Sequence, residues 1–271
     1  MNMDQFFNNK VVAVTGGSEG IGKALVDALL KNGAKVATCG RNYDKLYQLQ
    51  TSYSGKPLIT HAADVSNEND CSNFIEEAVK TFGRLDILIN NAGISMRALF
   101  NEVDLTALQK VMNVNFWGTV YCTKYALPHI LKQKGTVVGV SSVAGYRGLP
   151  GRTGYNASKF AVQGFLEALR TELLSSGVNV MWVCPGFTAS NIRNAALTKD
   201  GTSQGFTPLD EGSLMSAEDC ATITLSAIAK RKRTLIYTFA DKRTVWMNNL
   251  LPSLTDKLVR KFFYKGEELV K

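Results

Sequence analysis

Tyr155 and Lys159 stand four residues apart at the start of an amphipathic helical pattern (Phe160, Phe165, Leu166, Leu169, Leu173), so both side chains share one face. A phenol can hand a proton to a carbonyl oxygen, but its ordinary pKa of about 10 hinders exchange near neutrality. A lysine cation on the same face favours phenolate and lowers that value. Ser142 closes the strand-like run Thr136-Val137-Val138-Gly139-Val140, where a parallel sheet presents residues to its ligand crevice. Its hydroxyl can donate to an oxygen that gains negative charge. The trio suits proton transfer to an oxygen whose carbon receives hydride, and the hydride must come from a cofactor.

A place for such a cofactor lies near the start of the chain. The turn Thr15-Gly16-Gly17-Ser18-Glu19-Gly20-Ile21-Gly22 follows the apolar run Val11-Val12-Ala13-Val14 and opens a helical pattern (Ala24, Leu25, Ala28, Leu29). Gly16 can supply the tight turn, Gly20 admits backbone close to phosphate, and Gly22 lets the helix pack on the strand. Free N–H groups at the helix end face the anion. The Gly-x-x-x-Gly-x-Gly spacing departs from the commoner Gly-x-Gly-x-x-Gly fingerprint.

Taken in order, these features resemble the short-chain dehydrogenase/reductase family from about Lys10 to Phe239. The motifs are Thr15 to Gly22, Asn90-Asn91-Ala92-Gly93, Asn115 in Val114-Asn115-Phe116-Trp117-Gly118, Ser142, Tyr155 with Lys159, and Pro185-Gly186. The resemblance implies a catalytic set of Ser142, Tyr155, Lys159 and Asn115. Its thirteen-residue offset to the tyrosine selects Ser142 over the adjacent Ser141, and a glycine three residues on selects Asn115 over Asn113. By resemblance Asn115 holds a water that links Lys159 to solvent. The implied dinucleotide contacts are Gly16, Ser18, Gly20, Ile21 and Gly22 in the turn, Asp64 and Val65 at adenine, and Asn91, Ala92 and Gly93 along the cofactor. Tyr155 and Lys159 would also touch it, and Pro185, Gly186 and Thr188 would hold its carboxamide end.

The cofactor form turns on the end of the second strand, Val36-Ala37-Thr38-Cys39-Gly40-Arg41-Asn42. An acidic residue there would hold a ribose 2′-hydroxyl, and none is present; Arg41 can pair a 2′-phosphate. NADP(H) is the expected cofactor. Glu19, where the NADP pattern is often basic, departs from it.

Strand-like runs near Val11 to Thr15, Lys35 to Cys39, Leu58 to Ala62, Leu85 to Asn90, Thr136 to Ser141, Val178 to Cys184 and Thr234 to Phe239 alternate with helical patterns. The clearest helices are Ile21 to Lys31, Tyr43 to Thr51, Glu68 to Phe82, Thr106 to Gln133, Gly154 to Ser175 and Ala217 to Lys230. This alternation predicts an α/β chain: a doubly wound Rossmann fold whose seven-stranded parallel sheet is flanked by helices, in one domain spanning 1–271. The core covers about 10–239. The Gly/Thr/Ser/Asn-rich stretch 188–216 is expected to cover the substrate crevice. Residues 240–271 form a C-terminal helical extension.

That extension holds most of the charge. Eleven of the 31 Lys/Arg but only four of the 23 Asp/Glu lie in residues 230–271, so the remainder, 20 against 19, is nearly neutral. No nucleic-acid motif accompanies the basic tail, which argues against nucleic acid as a partner. Its apolar residues (Val245, Trp246, Leu250, Leu251, Leu254, Leu258, Val259, Phe262, Phe263) recur at three and four, with a break at Pro252. Two accounts of the tail stand open: a pair of short helices closing the sheet edge or a dimer contact, and a helix lying on a membrane surface. Five scattered cysteines within apolar runs suit buried thiols in a reducing compartment, the N-terminus lacks a signal-peptide pattern, and no run is long enough to span a bilayer. A cytoplasmic protein, peripheral to a membrane at most, is expected. His61 and His129 lack metal-ligand spacing, so no metal is expected. The expected activity is interconversion of a small-molecule carbonyl and alcohol; the resemblance implies an apolar substrate, a lipid, steroid-like or 3-ketosphinganine-like ketone, and a homo-oligomer, dimer or tetramer. The alternative is a dinucleotide-binding interaction protein without turnover.

Overall fold

The computed structural model describes residues 3–270. Seven strands, β1 (Val11–Thr15), β2 (Lys35–Gly40), β3 (Leu58–Ala62), β4 (Ile87–Asn90), β5 (Thr136–Val140), β6 (Asn179–Cys184) and β7 (Thr234–Ile236), form one parallel sheet. Their order is β3-β2-β1-β4-β5-β6-β7. The winding reverses between β1 and β4, and in open α/β sheets the crevice beyond the strands' carboxyl ends at that switch is the ligand site. The helices are α1 (Met3–Phe7), α2 (Gly20–Lys31), α3 (Tyr43–Ser52), α4 (Glu68–Phe82), α5 (Leu105–Met112), α6 (Gly118–Gln133), α7 (Thr153–Glu172), α8 (Ala217–Ala229), α9 (Phe239–Leu250) and α10 (Pro252–Phe263). A two-stranded hairpin, β8 (Tyr264–Lys265) and β9 (Glu268–Leu269), follows α10.

Strands covered on both faces read as continuous apolar runs, and β1 is buried at every position. Val12 and Val14 join Leu25 and Leu29 of α2 and Leu225 and Ile228 of α8 in one core layer. Val11 and Ala13 face Phe74 and Ile75 of α4, Ile130 of α6 and Leu166 of α7 in the other. A third, smaller cluster joins Met96, Val111, Ala144 and Leu197 to Tyr155 and leads into the crevice.

The structure departs from the sequence reading in several places, each with a local cause. The expected helix Thr106 to Gln133 is two helices, α5 and α6, joined by a π-helical turn at Asn113–Trp117. Periodicity cannot register the extra residue in such a turn. The last strand stops at Ile236 rather than Phe239 because Thr238 caps α9 in a reciprocal capping box with Asp241. The helix at Met3–Phe7, unanticipated, seats Phe7 fully inside the core. Residues 188–216 are pinned by backbone bridges: Met96 to Leu197, Thr188 to Met215, and Leu197 to Ser203.

The tail is helical with its break at Pro252, as the pattern predicts, and it adds no strand to the main sheet. Instead it lies over the loop after β5. Arg147 donates to Asn248 at 3.0 Å and pairs with Asp256 at 2.7 Å, while Asn248 donates to the Tyr146 carbonyl at 3.1 Å.

Candidate active site

The turn after β1 fits an anion. Gly16 adopts φ +70°, a left-handed conformation strained for other residues. A Cβ on Gly22 would lie 2.0 Å from the Gly16 carbonyl oxygen, so only glycine lets α2 start this close to the strand. Glu19, at the cap position of α2, makes no capping hydrogen bond, which leaves the helix-end N–H groups for a ligand. Thr15 ties the turn to the end of β4 by accepting from the Asn91 and Ala92 N–H groups, and Asn91 donates back to the Thr15 and Gly16 carbonyls. Asn91 therefore braces the cradle. A pyrophosphate fits this arrangement.

From the cradle one cavity of ≈ 910 Å³ runs along the carboxyl ends of the strands. Every expected cofactor contact borders it: Gly16, Ser18, Gly20, Ile21, Gly22, Arg41, Asp64, Val65, Asn91, Ala92, Gly93, Tyr155, Lys159, Pro185, Gly186 and Thr188. Asn90 is buried and donates to Thr123 at 3.0 Å, bracing β4 against α6. Arg41 is exposed at the tip of β2, and Glu19 forms an ion pair with Lys45 of α3, which offsets its charge. The Asp64 carboxylate accepts from Ser66 and so shapes the loop after β3.

Ser142, Tyr155 and Lys159 meet at the middle of the same cavity. Ser142 caps a short 3-10 turn, Val143–Gly145. Its neighbour Ser141 is spent on structure: it donates to the Lys159 carbonyl and accepts from Gln163. Tyr155 and Lys159 are both buried near the start of α7, as their spacing requires, and the Lys159 ammonium donates to the Val140 carbonyl at 2.8 Å. Burial lowers the Lys159 pKa to about 8. Burial raises that of Tyr155, with the Ser142 hydroxyl and the Arg152 and Arg193 charges pulling the other way. The sequence reading has Lys159 depressing the phenol; in the protein alone desolvation outweighs every cation nearby.

Asn115 lies in the π-helical turn, nearly inaccessible, where its amide accepts from the Ile94 N–H and donates to the Ile94 carbonyl and to Ser158. The amide thus clamps the loop after β4 to α7 beside Lys159; a Cβ on Gly93 would sit 3.2 Å from Asn115 Oδ1 and 3.4 Å from Lys159 Nζ.

The cavity also contains residues that motif spacing does not reach. Arg152 and Arg193 are buried in its wall, and Asp241, Leu258, Val259, Phe262 and Phe263 of the tail close its far side. In the sequence Arg152 sits in Leu149-Pro150-Gly151-Arg152-Thr153, which reads as a solvated loop. Among the described residues no cluster of His, Cys, Asp and Glu could hold a metal ion, and no helix is long and apolar enough to cross a membrane. All five cysteines are free and buried.

Comparison with known proteins gives the same picture. The short chain dehydrogenase family pattern matches residues 10–201. The mouse dehydrogenase/reductase SDR family member 7B is 32% identical over 92% of this chain and 80% of its own length. The 11-beta-hydroxysteroid dehydrogenase-like 4A of Arabidopsis thaliana is 35% identical over 91% of this chain and 82% of its own. A short chain dehydrogenase/reductase from Burkholderia phymatum, solved in complex with NAD, superposes with a TM-score of 0.80 at 26% identity, covering 92% of this chain and 95% of that one. Glycine cradle, crevice, and serine, tyrosine and lysine stand on a Rossmann sheet that superposes on that of the bacterial relative, and the chain belongs to the short-chain dehydrogenase/reductase family of oxidoreductases.

Proposed function

We propose that the protein is an NADP(H)-dependent oxidoreductase that interconverts a ketone or aldehyde with an alcohol on a largely apolar substrate. The observation that carries this reading is the one continuous cavity: it joins the glycine cradle and Arg41 to Ser142, Tyr155 and Lys159, then continues under the apolar side chains of α10. The NAD in the bacterial relative supports a nicotinamide dinucleotide here. Arg41 at the tip of β2, with no acid at the strand end and Glu19 offset by Lys45, supports the 2′-phosphate form. The name of the Arabidopsis relative supports a steroid-like or other lipid carbonyl.

When bound, the cofactor supplies or accepts hydride at the substrate carbon. Tyr155 delivers the proton to the substrate oxygen, and Ser142 donates a hydrogen bond to that oxygen as its charge grows. Lys159 in its charged form holds cofactor ribose hydroxyls and offsets part of the desolvation that keeps the phenol protonated. Asn115 positions Lys159 through the loop after β4.

The test is NADPH oxidation with a panel of aldehydes and ketones of increasing apolar size. Turnover that improves with apolar bulk and is better with NADPH than NADH is the expected result. NADPH binding without turnover on any carbonyl would favour a non-catalytic dinucleotide-binding protein, and equal efficiency with both cofactors would overturn the NADP(H) assignment.

The same reading extends to assembly and location. Trp117, 43% exposed beside the Phe116 and Tyr121 rings, and Phe160, 47% exposed on α7, support a homo-oligomer built around α6 and α7. Light scattering that returned the 29.6 kDa monomer at micromolar concentration would refute it. Phe239, Trp246, Leu250, Leu254 and Leu258 are exposed in the tail among Lys242, Arg243, Lys257 and Lys261, an amphipathic composition suited to an anionic lipid surface. Such contact would set the substrate cavity against the bilayer from the cytoplasmic side. Salt-sensitive sedimentation with anionic vesicles, lost on truncation after Phe239, is expected; no binding at low salt would exclude it.

A further inference from the structure

Resting on the oxidoreductase reading above, we propose that the substrate carries an anionic group, a carboxylate or a phosphate, that Arg152 receives beside the reacting carbonyl. Arg152 lies immediately before α7, three residues from Tyr155, and borders the cavity while only 8% exposed. Its Nε is enclosed without a partner. Among the described residues the guanidinium makes no hydrogen bond or ion pair. Long cationic side chains usually bury their stems and send the charged head to water, and buried charges are nearly always paired. Arg152 does neither.

Its surroundings deepen the need for an anion. Among the described residues, the charged and titratable groups that act on it are the Tyr155 phenol and two further cations, Arg97 and Arg193, and none of these is a carboxylate. Those two cations are engaged elsewhere. Arg97 donates to the Leu269 carbonyl at 2.9 Å and faces Glu268, and Arg193 donates to the Thr188 carbonyl at 2.8 Å. Arg152 keeps its planar fork of donors for a ligand, and that fork matches the paired oxygens of a carboxylate or phosphate. With Leu258, Val259 and Phe262 of α10 lining the same cavity, the class that fits is an amphiphile: an oxo group near an acidic head, and an apolar body against α10.

The experiment uses the full-length enzyme with NADPH and straight-chain oxo acids, the ketone two to four carbons from the carboxylate, each against its methyl ester. A second arm uses the same ketones as phosphate monoesters against the free alcohols, which separates the two anions. In the wild type the charged member of at least one series should have the higher kcat/KM by roughly ten- to hundredfold. That ratio should fall towards one in Arg152→Gln and be partly kept in Arg152→Lys, which retains charge without the fork. A wild-type ratio at or below one in both arms overturns the proposal even if the variants do not fold, and so does a ratio that Arg152→Gln leaves unchanged. Thermal shifts of the NADPH complex with decanoate, decyl phosphate and decanol give a readout without turnover. Stabilisation by an anion but not by decanol, lost in Arg152→Gln, supports the anion site even if no carbonyl is reduced, in which case the catalytic reading fails alone. Equal shifts with all three overturn the anion site.

Discussion

Helices α7 and α10 are both amphipathic by sequence, yet they stand at opposite ends of how firmly this protein holds its parts. α7 buries nine residues, Tyr155 and Lys159 among them, against two strands and the π-helical turn. α10 buries Thr255 and Phe263, and α9 beside it buries none. The groups proposed for proton transfer are therefore held by the packing that makes the sheet, whereas the proposed substrate wall is held by a few polar ties around Arg147 and Asn248. On that proposal, chemistry that tolerates little displacement sits on the rigid side. The wall proposed to select the substrate sits on the side where a substitution is expected to cost the fold little.

The sharpest way to break this contrast is Tyr155→Phe. Removing only the hydroxyl should lower turnover roughly a hundred- to ten-thousandfold while NADPH affinity changes little, measured by steady-state kinetics beside fluorescence titration. Wild-type-like rates would remove Tyr155 from the mechanism. A stability pair comes next. Leu166→Ala, in the inner core of α7, should cost about 2–5 kcal/mol in chemical denaturation. Leu258→Ala, 47% exposed on α10, should cost within about 0.5 kcal/mol yet raise KM for apolar carbonyls. Equal losses would mean that the tail is as integral to folding as α7.

Two further predictions concern the cofactor end. Arg41→Ala should weaken NADPH by roughly ten- to hundredfold and leave NADH nearly unaffected, narrowing the preference. A preference left intact would move the 2′-phosphate contact to another group. Lys159 carries a pKa lowered by burial to about 8, so above that pH it is increasingly neutral in the free protein. Binding that requires the cation must then take up a proton from solvent. The NADPH Kd should therefore stay flat below about pH 8 and rise by up to about tenfold per unit above it, a dependence absent in Lys159→Met. A flat profile to pH 9.5 in the wild type would show that the ammonium does not contribute to binding.

Much of this was legible in the residues because the relevant physics is local. A glycine needed at positive φ, two side chains brought together by a helical turn, and strands buried on both faces all leave marks within a few positions, so the turn, the Tyr155 and Lys159 pair and six of the seven strand starts to within a residue could be read directly, whereas the choice of Ser142 over Ser141 rests on the family resemblance. The exception, Leu85, is buried like a strand residue but lies before the first paired residue, Ile87. The π-helical turn at Asn115 left no such mark, because one extra residue within a helix does not disturb the apolar period enough to be seen.

What only the tertiary structure decided is which residues from distant segments share one cavity and how dry they are. No local pattern in Leu149-Pro150-Gly151-Arg152 tells a solvated arginine from a buried one; Arg152 is buried at a cavity that it shares with residues from elsewhere in the chain, Arg193 and the side chains of α10 among them. The direction of the Tyr155 pKa was misjudged for the same reason. The neighbouring cations can be counted in the sequence, but the desolvation that outweighs them is a property of the whole enclosure.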